Sequence, residues 1–65
     1  MIDNNYNIFT PGLLVINPQK KNEWGIGQIQ SSINNLITVN FENVGKKTIN
    51  LSIIDLEIIN VNETV

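Results

Sequence analysis

The stretch NEWGIGQIQ, Asn22 to Gln30, sets the only tryptophan of a 65-residue chain directly before Gly-Ile-Gly. Whether those glycines cradle a phosphate or bend a strand decides the fold. A dinucleotide-binding loop needs Gly-x-Gly-x-x-Gly between a strand and a helix, because the third glycine lets the helix pack closely and its N-terminus then meets the pyrophosphate. Gln30 stands at that third position, the residues after it show no helical period, and the remaining chain is too short for a βαβ crossover. NFENVGKKT, residues 40–48, fails as a phosphate loop in the same way: Asn40 replaces the required glycine, and Lys47 replaces the hydroxyl residue after Lys46.

A strand accounts for more. Ile26 and Ile29 are three apart where alternation wants two or four, so an extra residue at Gly27, a β-bulge, is expected to return both to the core face. Such a bulge lets one strand bend sharply enough to serve both halves of a small sheet. Gly25 is expected to permit close approach of a neighbouring backbone. Trp24 either plugs an open end of the resulting barrel or lies partly exposed as a stacking anchor, with Phe9, Tyr6 or Phe41 as its aromatic neighbour.

Working outward, the period is two. Ile37, Val39 and Phe41 share one face of a strand starting at Leu36, and Thr38 and Asn40 share the other. In KKTINL, Lys47, Ile49 and Leu51 fall inward, the alkyl stem of Lys47 covering the core edge while its ammonium reaches water. Asn43 and Gly45 accept positive φ, so these two strands form a hairpin. Residues 31–35 separate an upstream strand from Leu36, with Asn34-Asn35 as the turn centre. Leu13 to Asn17, opened by Pro11-Gly12 and closed by Pro18, reads as a first strand wrapped on both faces. Ser52 to Asp55 reads as one helical turn capped by Ser52, and Leu56 to Ile59 as a closing strand with Leu56 and Ile58 inward. Five short strands and one helical turn before the last strand describe an all-β fold, a small antiparallel barrel of the SH3 or Tudor type over residues 9–61, with 1–8 and 62–65 as flexible ends. The alternative is an open meander completed by a second copy.

Composition narrows the chemistry. Neither cysteine nor histidine is present, so thiolate metal sites, disulfides, imidazole catalysis and thiol redox roles are excluded. A net charge of −2, with four lysines and no arginine, argues against general affinity for nucleic-acid phosphates. No apolar run approaches the ~20 residues of a membrane span, and the start MIDNNYNIFT lacks the pattern of a secretory signal. A reducing cytoplasm is the expected setting, with no cofactor and no membrane partner. Glu23, Glu42, Asp55 and Glu57 form no paired carboxylate constellation by spacing, so no catalytic or metal-binding residue is assigned.

The run from Phe9 to Ile59 resembles short bacterial proteins grouped as domain of unknown function 3553. The matching residues are Pro11-Gly12, Val15 and Pro18, then Glu23-Trp24-Gly25 with Gly27, Gln28 and Ser31, then Val39 and Phe41, Gly45-Lys46, and Leu56-Glu57. More distantly, the Trp-Gly-x-Gly bend resembles the Tudor-like C-terminal module of UvrD/PcrA-type helicases and the polymerase-interacting domain of CarD-type regulators. That resemblance implies a barrel without catalysis of its own, docking on a nucleic-acid machine, with RNA polymerase the leading candidate. The chain departs from those relatives in lacking arginine, and it is expected to stand alone, without helicase or DNA-binding helical domains.

Two kinds of function follow. A protein-interaction module would add an exposed strand edge or a Trp24-centred patch to a partner's sheet, with Trp24, Glu23, Lys20, Lys21, Lys46 and Lys47 as its contact surface, shaped by Gly25, Gly27 and Gly45. A weak nucleic-acid-binding barrel would set the same lysine pairs on phosphates and stack Trp24 on a base. Homodimerisation through an edge strand is compatible with either.

Overall fold

The alternation of apolar and polar residues is realised as strands in a computed structural model, which describes residues 8–59. In chain order these are β1 (Leu14–Ile16), α1 (Lys21–Trp24), β2 (Gly27–Ile33), β3 (Leu36–Phe41), β4 (Gly45–Asn50) and β5 (Glu57–Ile58). They form one antiparallel sheet in the order β4-β3-β2-β1-β5, a small all-β, barrel-like arrangement. Among the described residues no ladder joins β4 to β5, so the barrel has a seam there. The frayed ends expected at 1–8 and 62–65 lie outside the described residues except for Ile8, and Tyr6 lies outside them too. No described helix is long and apolar enough to cross a membrane.

The core collects Val15 from β1, Ile29 from β2, Ile37, Val39 and Phe41 from β3, and Ile49 from β4, with Phe9 and Leu56 closing its ends. Every second residue of β3 is therefore inward, as its period of two requires. The β3–β4 hairpin pairs Phe41 with Gly45, which has φ +77. Asn43 does not adopt the positive φ expected of it; among the described residues Asn34, at φ 54, is the non-glycine residue that does. Its turn joins β2 directly to β3, so residues 31–33 belong to the strand and the loop is two residues long.

The bulge is real but displaced. Pairing between β2 and β3 runs in register to Ile29↔Val39 and resumes at Ser31↔Thr38, making Gln30, not Gly27, the extra residue. Gly27 lies in regular alternation with Ile29, so Ile26 turns outward and is 38% exposed. Beyond the bulge the parity flips: Ser32 opposes the buried Ile37, and Ile33 opposes Leu36 on the outer surface. The reason for Gly27 is space. A Cβ there would meet Val39 Cγ1 at 2.4 Å and Phe41 Cδ1 at 2.6 Å, so these two core side chains fill the volume a larger residue would need.

Three further differences have local causes. Asn17 starts a turn before Pro18, its Oδ1 accepting from Gln19 N at 2.9 Å and its carbonyl from Lys20 N at 2.9 Å. The single turn of α1 follows, too short to show a period in the sequence. Asn50, rather than Ser52, caps the turn before β5: its carbonyl accepts from Ile53 N and Ile54 N, and its Oδ1 from Ser52 N, all at 2.9 Å. Ile58 pairs with the buried Val15 and so faces inward as expected, but it is still 39% exposed, because β5 is two residues long and borders only β1.

Candidate interaction surface

Trp24 ends α1 and sits half-buried against the core, neither fully enclosed as a plug nor fully exposed. Its ring meets that of Phe41 at 5.0 Å between centroids, tilted by 59°. Phe41 in turn fills the space beside Gly27. Lys47 comes from the inward face of β4 and places Nζ 4.9 Å from the Trp24 ring centroid, a cation–π contact that caps the aromatic pair. The inward register read for Lys47 is thus occupied by a half-buried stem with its ammonium over indole.

Gly25 carries the chain out of α1 with φ 76 and ψ −163, a conformation essentially confined to glycine. Its close neighbours are side chains, not the backbone expected: a Cβ would lie 2.8 Å from Glu42 Oε1 and 3.0 Å from Asn43 Nδ2. Three hydrogen bonds fasten this stretch to the end of β3. Asn43 N donates to Trp24 O at 3.0 Å, Glu42 N to Ile26 O at 2.9 Å, and Ile26 N to Glu42 Oε1 at 3.0 Å. Glu42 therefore holds Trp24 in place through the intervening backbone.

The proposed contact residues do not form one patch. Lys20 lines a groove beside Trp24, together with Pro18, Ile53, Ile54 and Asp55. Lys21 lines a different groove, and Glu23 is exposed on α1. Alternation along β4 turns Lys46 to the face opposite Lys47, so the second lysine pair is split across the sheet. Gly45 shapes the hairpin through its positive φ and has open space around it. No group of three acidic residues that could hold a metal occurs among the described residues.

Two apolar features went unread in the sequence. Ile53, 77% exposed, forms one wall of the Trp24 groove; it sits in a turn, where no periodicity marks it. On the other side of the sheet, Ile16, Ile26 and Ile59 line a second groove together with Lys21 and Glu42. Strict alternation from Ile29 back through Gly27 would have placed Ile26 there.

Fold and surface together define a small all-β, barrel-like domain with an aromatic-walled groove on one side and an aliphatic groove on the other. Its sequence places it more closely: the family described as Protein of unknown function (DUF3553) matches residues 9–59, and the chain belongs to that family. No curated protein and no solved structure matches the chain.

Proposed function

We propose that this chain is a non-catalytic protein-interaction module whose Trp24 groove receives an apolar side chain from a partner protein. The observation that carries this reading is Ile53, 77% exposed beside half-buried Trp24 and Ile54, at the margin of a core that is already filled. Exposed aliphatic surface next to a held aromatic ring is the composition of an interface centre. Lys20 in the groove and Lys47 over the ring outnumber the one carboxylate there, Asp55, and favour an acidic neighbour on the partner.

The resemblance of the Trp-Gly-x-Gly bend to polymerase-docking modules makes RNA polymerase the first partner to test. Weak nucleic-acid binding has less support, since Lys47 covers one face of Trp24 and Lys46 points to the opposite side of β4. In a titration of isotope-labelled protein with bacterial RNA polymerase, amide signals of Lys20, Trp24, Ile53 and Ile54 are expected to broaden first. A spectrum unchanged by the polymerase removes it as the partner; broadening centred elsewhere removes the groove as the site.

A further inference from the structure

We infer that the aliphatic groove on the outer face, floored by Ile16, Ile26 and Ile59, is where a second copy of this chain binds across a two-fold axis. This surface is separate from the Trp24 groove and does not depend on its role. Ile16 is 9% exposed yet belongs to no part of the core cluster, because Val15 takes the inward position on β1. Ile26, outward by the parity of β2, and half-buried Ile59 continue the same floor.

The occupant follows from the charges. Lys21 and Glu42 both line the groove, and neither forms an ion pair within the chain among the described residues. Glu42 Oε1 accepts from Ile26 N, which leaves its second oxygen for a partner. A two-fold interface sets the same patch against itself, so a cation and an anion that line one apolar groove are complementary to their own copy: Lys21 meets the partner's Glu42, and Glu42 the partner's Lys21.

The sheet edges are poorer routes to self-association. Edge strand β4 carries Lys46 outward and Lys47 inward, and inward-pointing charge on an edge resists the addition of another strand. Edge strand β5 is two residues long. The homodimer therefore forms through a face and not, as edge pairing would have it, through a strand.

Sedimentation equilibrium of the full chain from micromolar to millimolar concentration tests this. The parent protein is expected to show a monomer–dimer equilibrium. Ile26→Asp should raise the dissociation constant by roughly 30-fold or more, the loss of a central anchor. Lys21→Glu should raise it by about ten-fold, because the altered pair occurs twice. Glu42→Gln, which keeps an acceptor for Ile26 N, should act in the same direction as Lys21→Glu. Circular dichroism establishes that each variant is folded; if Ile26→Asp is not, the two charge variants decide. A parent that is monomeric throughout overturns the inference, as does a dimer indifferent to these changes but abolished by Thr48→Pro in the β4 edge.

Discussion

Replacing Gly27 by alanine adds one methyl group where the structure has no room for it. Its Cβ would lie 2.4 Å from Val39 Cγ1 and 2.6 and 2.7 Å from two ring carbons of Phe41, well inside contact distance. Neither neighbour can retreat to solvent, since Val39 is 0% and Phe41 2% exposed. Overpacking of this kind costs about 1–3 kcal/mol. Gly27 has no positive φ, so alanine also gains about 0.4–1 kcal/mol by restricting the unfolded chain. The net loss is about 1–2 kcal/mol, or a fall in Tm of roughly 4–16 °C for a domain this small. Thermal unfolding of Gly27→Ala, Val39→Ala and the double variant forms the assay. Removing the Val39 methyls should make the double variant more stable than the sum of its parts by about 1 kcal/mol. Gly45→Ala, with open space but φ +77, should show no such coupling. A Gly27→Ala protein as stable as the parent would refute the packing argument, and Gly27→Val should populate the unfolded state.

Three other outcomes follow from local geometry. Lys47→Ala should cost about 0.5–1 kcal/mol through loss of the contact over Trp24, and should make its fluorescence more accessible to acrylamide; unchanged quenching would place the ammonium elsewhere. Asn34→Val should lower the urea midpoint by the equivalent of about 1–2 kcal/mol, because a β-branched residue is strained at φ 54, whereas Asn34→Gly should not. Asn50→Ala removes the acceptor of both Ser52 N and Asn35 Nδ2 and should cost about 1–2 kcal/mol; a neutral result would mean that water replaces both bonds.

The hairpin from Leu36 to Asn50 was legible because its alternation is unbroken and Gly45 marks its turn. Gly27 signalled a special position correctly and its cause wrongly. Glycine suggests backbone freedom, but the demand here comes from Val39 and Phe41 on the neighbouring strand, which local sequence does not display. The bulge itself falls on Gln30, a residue with no conformational signature, and misplacing it turned Ile26 the wrong way. One turn of helix at α1 is shorter than any period that could announce it. Among site residues, Trp24 and the inward stem of Lys47 could be read from pattern. Ile53 and Ile54 could not, since their place beside Trp24 is set by the Asn50-capped turn crossing from β4 to β5.

Interferometry with immobilised RNA polymerase and three forms of this protein tests most directly whether the Trp24 groove is the working surface. The parent and Ile26→Asp should bind alike, and Ile53→Asp, altered at a residue 77% exposed, should lose binding while remaining folded. No binding by the parent would remove RNA polymerase as the partner, and equal binding by parent and Ile53→Asp would contradict the account of the groove.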